Sequence, residues 1–341
     1  MKKHYNIPVF IAHLGCKNNC VFCNQKIITG QTENPDEYEI RRTIEKFINI
    51  IDNRTGGTGS TTGTEIAFFG GSFTGLEKVQ MIKFLETANE YIDKYKFISG
   101  IRISTRPDYI SREIIDILTA YKVKSIELGI QSMSDGVLEA CKRGHTAKDT
   151  VNACEIIKSE NLNLTGQIML GLPGSDREKD IKTAEALVKL GVNDARVYPA
   201  AVLENTELYD MYKLGSYEPL SLDEAVFRAK EIKKTFDSND IKILRMGLCS
   251  SDIGEFGIAA GPYHPAFGEL VESELIYEKL IEKIKQTTDA VQKDIIIRVE
   301  KKDLSKTVGH KRKNIERLNS VFKNSGINRI QIVPDKDGDT F

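Results

Sequence analysis

Three cysteines lie close together near the start of the chain, in the stretch Gly15-Cys16-Lys17-Asn18-Asn19-Cys20-Val21-Phe22-Cys23-Asn24. Three thiolates from one short loop can bind three irons of a 4Fe-4S cluster and leave the fourth iron without a protein ligand. A tetrahedral zinc site would need a fourth ligand, and the next cysteine is Cys141. His13, three residues before the loop, is expected to pack or to form a hydrogen bond. The spacing favours an iron-sulfur loop, with a zinc site and unrelated thiols as the alternatives.

The rest of the composition indicates a soluble protein without special attraction to polyanions. The 48 basic and 49 acidic residues nearly balance. The apolar run before the cysteines is too short for a signal peptide or a membrane span, and no other stretch reaches spanning length. We therefore expect a cytoplasmic protein with reduced thiols and no membrane partner. The isolated Cys141, Cys154 and Cys249 are interpreted as small apolar packing residues.

Short β-branched or aromatic runs alternate with longer amphipathic segments, the pattern of a parallel sheet covered by helices. Strands are predicted at 9–13, 65–69, 101–104, 125–129, 164–170, 194–198 and 241–246, and helices at 36–51, 76–95, 111–121, 134–142, 147–161, 176–190 and 222–236. Residues 52–64, rich in Thr and Gly, are expected to form a flexible surface loop. Six to seven βα units suffice for a partial (β/α)6 barrel of the TIM type, with a full barrel or an open doubly wound sheet as rivals.

The pattern changes after about residue 268. A charged helix at 269–285, a strand at 294–299, a basic helix at 311–322 and a strand at 328–333 predict a small α+β extension. The domains are therefore expected at 1–268 and 269–341. The basic helix is interpreted either as a contact for a phosphate backbone or as a solvated face balanced by nearby acids.

The cysteine loop also carries a family resemblance. Cys16, Cys20 and Cys23, with the aromatic Phe22 before the third cysteine, resemble the signature of the radical S-adenosylmethionine (SAM) superfamily. The flanking residues 7–16 and 23–30 are similar to bacterial members related to the Elongator catalytic subunit and to oxygen-independent coproporphyrinogen oxidase. The similarity continues, motif by motif, to about residue 275, and it favours the α/β partial (β/α)6 barrel with a small C-terminal α+β extension.

The resemblance implies a chemistry and its cofactors. A 4Fe-4S cluster and SAM are expected, with a one-electron donor of the flavodoxin or ferredoxin type as partner. Reduction would cleave SAM to methionine and a 5′-deoxyadenosyl radical, and the radical would abstract hydrogen from the substrate. The three cysteines would hold the cluster.

Polar or glycine-rich segments that follow successive predicted strands are the candidate SAM-binding residues. The second strand ends in Gly70-Gly71-Ser72, where the superfamily commonly has Gly-Gly-Glu against the amino group of SAM, so Ser72 makes this contact less specific. Hydroxyls at the third strand end could bond ribose oxygens, and Arg106 could pair with a carboxylate. Buried Glu127 and Gln131 must contact a ligand or satisfy each other and the backbone. The whole set is Phe22, Gly70, Gly71, Ser72, Ser104, Arg106, Glu127, Gln131, Arg143, Gln167, Met169 and Tyr198.

The resemblance assigns further roles within this set. Arg143 would face the methionine carboxylate of SAM, since a guanidinium fork suits that group. Met169, in the fifth-strand motif Gly166-Gln167-Ile168-Met169-Leu170-Gly171-Leu172-Pro173-Gly174, would contact adenine, and the segment around Tyr198 would read the adenine edge. His264 is a candidate acid or base at the substrate, or it organises its loop.

The substrate is less constrained than the chemistry. The Elongator resemblance suggests tRNA wobble-uridine modification. However, only about 70 residues follow the barrel, so no acetyltransferase domain is expected, and the cysteine spacing is more compact than in the eukaryotic subunit. A porphyrinogen-like or other small-molecule substrate stays open. From other classes, an RNA-binding adaptor with a structural cluster or zinc, or a zinc-stabilised scaffold, would show no SAM cleavage.

Overall fold

The protein is described from a computed structural model covering residues 5–25, 35–55, 63–248, 257–287, 293–323, 325 and 327–335. Its strands are β1 Asn6–Phe10, β2 Thr64–Phe69, β3 Ile98–Thr105, β4 Val123–Gln131, β5 Asn163–Leu170, β6 Asp194–Pro199, β7 Val202–Leu203, β8 Lys242–Met246, β9 Ile258–Ala260, β10 Lys293–Val299 and β11 Ile327–Pro334. Its helices are α1 Glu37–Thr55, α2 Lys78–Lys94, α3 Arg112–Ala120, α4 Asp135–Ala140, α5 Ala147–Ser159, α6 Arg177–Leu190, α7 Glu207–Lys213, α8 Leu222–Asp237, α9 Phe267–Thr287, α10 Leu304–Val308 and α11 Lys313–Val321. Among these described helices, none is both long and apolar enough to cross a bilayer.

One parallel sheet of seven strands forms the main body. Its order is β1-β2-β3-β4-β5-β6-β8, and every neighbouring pair is parallel. The sheet curls into a half-barrel, so the predicted partial TIM-type barrel is confirmed. Because the strands are parallel, their carboxyl ends meet at one rim, and the residues that follow each strand are brought together there.

Alternation along the strands separates an apolar outer face from a polar concave face. The outer face packs the helices around a core that includes Ile7, Ile66, Ile103, Ile126 and Val197. The concave face carries polar side chains from successive strands, several of them buried, and these contact one another. A concave wall that is polar rather than filled with aliphatic side chains can receive a polar ligand.

A buried polar network joins four strands near their amino ends. Arg102 of β3 donates from Nε to the Glu65 carboxylate of β2 at 2.9 Å, and the Ser125 hydroxyl of β4 donates to the same carboxylate at 2.5 Å. Arg102 also donates from Nη1 to the Thr165 hydroxyl of β5 at 3.1 Å. Arg102 and Glu65 are each 4% exposed. Because each charge is paired away from water, the network fixes the end of the half-barrel opposite the rim.

The C-terminal extension has its own small core. Strands β10 and β11 pair in parallel, and helices α10 and α11 connect them. Leu318, Phe322 and Ile330 pack there against Tyr277 and Ile284 of α9. The first part of α9 packs in the main core through Phe267 and Val271. Helix α9 therefore belongs to both cores, and the domain boundary at 268 stays a prediction.

Several predicted boundaries were wrong, each for a local reason. The chain leaves the β1 ladder after Phe10, so predicted strand residues 11–13 form a turn, in which His13 has a φ of 59°. Helix α1 continues to Thr55, into the predicted loop, and residues 56–62 lie outside the described residues. The basic helix begins at Lys313 and not at 311, because Lys311 and Arg312 have left-handed backbone. The short elements β7, α7 and β9 were not predicted.

Candidate functional site

The cysteine loop is docked by its backbone onto the end of β2. The Ile11 amide donates to the Phe69 carbonyl at 2.8 Å, and the Ser72 amide donates to the Leu14 carbonyl at 2.9 Å. A Cβ at Gly71 would lie 2.5 Å from the carbonyl oxygens of Ile11 and Leu14. The glycine at this position is therefore explained by close packing of two backbone segments. Gly71 is also one of the candidate SAM-binding residues, and that role stays a prediction.

Gly15, at the start of the loop, is required for the same reason. Its φ is 73°, and a Cβ there would collide with the Ser72 carbonyl and lie 2.9 Å from the Leu76 amide nitrogen. The Gly70-Gly71-Ser72 turn and the cysteine loop thus form one interlocked unit. Gly70 itself has a φ of 87°, a left-handed conformation that glycine adopts without strain.

Each of the three thiols contacts a polar side chain of a different kind. Cys16 Sγ lies 3.4 Å from the Ser72 hydroxyl. Cys20 Sγ accepts a hydrogen bond from Arg143 Nη1 at 3.2 Å, and Cys23 Sγ accepts one from Gln25 Nε2 at 3.5 Å. Burial, followed by the neighbouring Cys20, raises the pKa of the Cys23 thiol to about 12. A thiolate at Cys23 therefore needs positive charge beside it.

The backbone behind the thiols rests on a second apolar cluster. Val21 and Phe22 pack with Val137, Leu172 and Leu208, and Phe22 is only 9% exposed. The same cluster has Cys20, Cys23 and Met169 at its edge. The loop is therefore supported by packing on one side, and Phe22 is a packing residue whose contact with SAM stays a prediction.

Arg143 links the loop to the end of β4. Besides Cys20, its guanidinium donates from Nη2 to the Gly129 carbonyl at 2.6 Å, while Nε is buried and has no hydrogen-bond partner among the described residues. Arg106, after β3, donates from Nε and Nη2 to the Asp108 carboxylate at 2.9 and 2.8 Å, and its buried Nη1 is likewise unpartnered there. The buried Ser104 hydroxyl also has no hydrogen-bond partner among the residues that the structure describes. Unsatisfied buried donors of this kind are expected where a ligand completes a site.

His145 lies beside these arginines, at 4% exposure. Burial, then the positive charges of Arg143 and Arg106, lower the pKa of its imidazole to about 3, so it is neutral at physiological pH. Neither ring nitrogen makes a well-aligned hydrogen bond in the described part of the chain, although a contact with the Ile130 backbone partly offsets the lowering of the pKa. A cleft of about 430 Å³, lined in part by Asn18, Lys142 and His145, borders the cysteine loop on this side.

The polar residues of β4, β5 and β6 pair across the concave face. The amides of Gln131 and Gln167 exchange two hydrogen bonds, at 2.7 and 2.9 Å. Glu127 Oε2 and Arg196 Nε form an ion pair at 2.8 Å, and Arg196 Nη1 donates to the Tyr198 hydroxyl at 3.3 Å. One expectation was that Glu127 and Gln131 satisfy each other. The structure shows that they do not. Gln131 of β4 finds its partner on the adjacent strand β5, whereas Glu127 of β4 reaches across β5 to Arg196 on β6.

Buried side chains hold the turn after β5. The Gly171 amide donates to the Asp180 carboxylate at 3.2 Å, and the Tyr217 hydroxyl donates to the Gly171 carbonyl at 2.7 Å. Arg228 donates from Nη1 to the same Asp180 carboxylate at 2.7 Å. The turn that follows Gln167 and Met169 is therefore rigid, and both of those side chains are half-buried at the concave face.

His264 lies on the segment that follows β9, and among the described residues its contacts are with its own segment and with His310. Its Nδ1 accepts a hydrogen bond from the Ala266 amide at 3.1 Å, and its ring is 5.2 Å from that of His310 in an edge-on arrangement. Burial, then the neighbouring His310, lower the pKa of His264. His13, in contrast, accepts a hydrogen bond at Nε2 from the Gln25 amide at 2.8 Å, which confirms the expectation of a hydrogen-bonding role.

The donor set at the rim fits a 4Fe-4S cluster and SAM. Three thiols from one loop face polar groups. At the neighbouring strand ends, Ser104, Arg106 and Arg143 each have a buried donor with no partner within the described part of the chain. Within the described residues, no three His, Cys, Asp or Glu side chains are placed to hold a single metal ion. A 4Fe-4S cluster takes one cysteine per iron, so its ligands need not converge on one point.

Comparison with known proteins agrees with this fold and site. The Radical SAM superfamily model matches residues 11–187, and the Radical_SAM C-terminal domain model matches residues 192–277. The protein belongs to the radical SAM superfamily and is a radical SAM enzyme. The superfamily implies a 4Fe-4S cluster and SAM as cofactors.

Relatives of this chain include Elongator proteins, which confirms the resemblance to the Elongator catalytic subunit. The chain is 36% identical over 172 residues to tRNA uridine(34) acetyltransferase of Methanocaldococcus jannaschii, a stretch covering 50% of this chain and 31% of that protein. It is 34% identical over 139 residues to human Elongator complex protein 3, covering 38% and 25% of the two chains. It thus matches only about a third or less of these relatives' length. The solved structure of Methanocaldococcus infernus Elp3 with residues 1–46 deleted shares the fold, with a TM-score of 0.63 at 24% identity over 86% of this chain and 66% of that one.

Sequence reasoning missed three residues that the structure brings to the site. Gln25 donates to Cys23 from outside the three-cysteine motif. Asn18 packs so closely on Gly144 that a side chain at Gly144 would collide with its amide. Arg196 was not among the candidate residues, although a charged residue two positions before Tyr198 on the same strand face signals a partner across the sheet.

Proposed function

We propose that Cys16, Cys20 and Cys23 hold a 4Fe-4S cluster and that the protein uses it to cleave SAM and to take hydrogen from a nucleoside of tRNA. The observation that carries this proposal is the position of the cysteine loop at the rim of a half-barrel, next to buried donors that have no partner among the described residues. Held by Cys16, Cys20 and Cys23, a reduced cluster would supply the one-electron chemistry for reductive cleavage of SAM and for removal of hydrogen from an unactivated carbon of the substrate. A flavodoxin or ferredoxin would deliver that electron.

Arg143 is proposed to bind the methionine carboxylate of SAM. Its two Nη atoms are used by Cys20 and by the Gly129 carbonyl, which fixes the plane of the guanidinium and leaves the buried Nε for a ligand. An anion is the suitable partner, because hydrogen bonds between a guanidinium and a carboxylate are charge-assisted. Arg106, fixed by Asp108 with Nη1 unpartnered, is proposed to add positive charge on the same side.

The other strand ends are proposed to hold the rest of SAM. The buried Ser104 hydroxyl is free to bond a ribose oxygen, and Glu127 and Gln131 line the same concave face. Gly70, Gly71 and Ser72 would offer backbone carbonyls and a hydroxyl to the amino group. Half-buried Met169, with Gln167 and Tyr198 beside it, would contact adenine.

Packing around the loop is proposed to keep water from the reacting groups. The apolar cluster of Val21, Phe22, Val137 and Leu172 covers one side of the cysteine loop. A radical that meets water or a stray hydrogen donor is lost, so exclusion of both is part of the protein's task. At the other side of the mouth, His264 is proposed as the group that moves a proton at the substrate. Because its Nδ1 accepts from an amide, the neutral ring carries its proton on Nε2.

The tRNA part of the proposal is supported by the relatives. Two proteins that match this chain at 33% to 36% identity carry the name tRNA uridine(34) acetyltransferase. The matched stretches cover 50% and 58% of this chain but only 31% and 35% of those proteins, and the radical SAM superfamily model matches residues 11–187 of this chain. We therefore propose that this chain carries out the radical step on a tRNA nucleoside.

Replacing Arg143 with methionine should weaken SAM binding about thirty-fold. A charge-assisted hydrogen bond from a buried guanidinium is worth about 2 kcal/mol, which corresponds to that factor. Equilibrium dialysis with radiolabelled SAM, normalised to the iron content of the reconstituted protein, measures the change. Arg112→Met, which removes an exposed arginine paired with Glu160, is the matched control and should leave the affinity unchanged. Equal affinities for the two variants would remove Arg143 from the proposed site.

SAM cleavage in the presence and absence of tRNA tests the proposed function. The reconstituted protein is incubated anaerobically with SAM and dithionite, and 5′-deoxyadenosine is followed by chromatography. We expect slow release without substrate and faster release when tRNA lacking wobble-uridine modification is added. Cleavage that is stimulated by a porphyrinogen or another small molecule, but not by tRNA, would contradict the tRNA assignment and keep the radical chemistry.

A further inference from the structure

The charge of the protein is unevenly distributed. Residues 293–335 contain eleven Lys and Arg against five Asp and Glu, a net charge of +6. The remaining residues contain 37 basic and 44 acidic residues, a net charge of −7. The near-neutral total therefore hides a strongly basic extension on an acidic barrel. Such asymmetry is typical of a part of the chain that meets a polyanion.

The cations of the extension divide into those used internally and those available to a partner. Arg317 is used internally: it donates to both carboxylate oxygens of Glu274, at 2.6 and 2.9 Å, and stacks on the Tyr277 ring. Lys313 pairs with Asp223 at 2.8 Å. Lys311 and Arg312 are exposed and have no ion-pair partner among the described residues. We call residues 309–313, Gly309-His310-Lys311-Arg312-Lys313, the basic loop.

The backbone of the basic loop is held in an unfavourable conformation. Lys311 and Arg312 are consecutive non-glycine residues with φ of 52° and 65°. Residues other than glycine rarely adopt this left-handed backbone conformation, so the surrounding structure must impose it. Asn314 does so: its buried amide donates to the Ser273 hydroxyl at 2.9 Å and to the Thr307 carbonyl at 3.2 Å. The two exposed cations are therefore presented by a fixed loop rather than by a mobile tail.

The basic loop borders the rim of the half-barrel. His310 contacts His264 edge-on at 5.2 Å between ring centroids. The segment that carries His264 begins after Gly261. Gly261 packs against Ala200, the first residue after β6, so closely that an added Cβ would lie 3.1 Å from the Ala200 carbonyl oxygen. The end of β8 closes the same side, since the Gly247 amide donates to the Val197 carbonyl at 2.9 Å. The loop thus lies at the carboxyl ends of the last two barrel strands.

We propose that the basic loop binds the phosphate backbone of the RNA substrate and so seats the RNA over the barrel mouth. This inference rests on the proposed function and adds the surface by which RNA is held. Lys and Arg contacts to phosphates supply affinity and fix the register of a nucleic acid without reading its sequence. Exposed, pre-positioned cations beside a polar barrel mouth fit that role, whereas the acidic remainder of the chain repels RNA.

The double variant Lys311→Asn/Arg312→Asn tests the loop. Asparagine removes both charges and tolerates the left-handed backbone, so the fold is preserved. The matched control is Lys323→Asn/Arg329→Asn, which removes one exposed Lys and one exposed Arg beyond the opposite end of α11. Circular dichroism melting verifies that each variant is folded. Fluorescence anisotropy with labelled tRNA, from 50 to 200 mM KCl, measures binding.

We expect the loop variant to bind tRNA about ten-fold more weakly at 100 mM KCl and the control variant less than two-fold more weakly. Losing two phosphate contacts should also lower the slope of log K against log salt by about 1.5. Equal losses in the two variants, or no RNA binding by the unmodified protein, would overturn the inference. So would a loop variant that binds RNA normally but loses affinity for anionic lipid vesicles.

The two proposals fail in different ways. RNA binding that depends on the loop in a protein that does not cleave SAM would contradict the proposed function and keep the inference. SAM cleavage by a protein whose RNA binding is unchanged in the loop variant would contradict the inference and leave the proposed function standing.

Discussion

The Cys20→Ala variant should contain little or no 4Fe-4S cluster and should release no 5′-deoxyadenosine from SAM. Each proposed iron ligand comes from the same short loop, so removing one thiol leaves two for four irons. Cys20 is the most informative choice because its sulfur also accepts the hydrogen bond from Arg143 at 3.2 Å. The variant therefore removes a ligand and releases the arginine proposed to bind SAM.

The matched control for this experiment is Cys154→Ala. Cys154 is 1% exposed in the main core, and burial raises the pKa of its thiol to about 12, so it is a packing residue. Iron and sulfide analysis after anaerobic reconstitution should give wild-type values for Cys154→Ala and values near zero for Cys20→Ala. A full cluster in the Cys20 variant would show that the three cysteines are not the ligands.

The Arg102→Met variant should lose about 3–5 kcal/mol of unfolding free energy, the largest stability effect we expect. The substitution removes the cation of a buried ion pair, and breaking such a pair by removing one partner is among the most destabilising changes in a protein. The Glu65–Arg102 pair is almost fully enclosed, with both side chains 5% exposed. Its loss also removes the donor to the Thr165 hydroxyl and so loosens three strands at once.

Urea denaturation followed by circular dichroism measures this effect. Arg112→Met breaks an exposed pair with Glu160 and should cost less than about 1 kcal/mol. A double variant, Glu65→Leu/Arg102→Met, should recover much of the loss, because removing both charges of a buried pair is often close to neutral. If Arg102→Met were as stable as Arg112→Met, the network would not hold the base of the half-barrel.

The barrel could be predicted from the sequence because its strands are short and carry apolar side chains on the face that the helices cover. The runs around Ile66, Ile103, Ile126 and Val197 are apolar enough to be recognised, and parallel pairing follows from the helices between them. What could not be predicted is where a ladder ends. The turn at His13 and the two left-handed residues Lys311 and Arg312 depend on contacts from distant segments, which no local pattern encodes.

The sequence allowed us to predict which residues lie at the site better than which residues contact one another there. Residues at strand carboxyl ends, such as Ser104, Arg106 and Gln131, converge because parallel topology requires it. Their partners follow from strand register, which the sequence does not specify: Gln131 meets Gln167 on the next strand and not Glu127 on its own. Gly71 illustrates a different limit. A glycine is needed there because another backbone segment approaches closely, and the sequence does not show that approach.

The central claim is that SAM binds directly at the cluster held by the cysteine loop. Electron paramagnetic resonance of the reduced, reconstituted protein with and without SAM tests it most directly. We expect a 4Fe-4S signal that changes shape when SAM is added and that is absent from Cys20→Ala. A full cluster whose signal is unaffected by saturating SAM would contradict the claim, because the iron without a protein ligand would then not be the binding site.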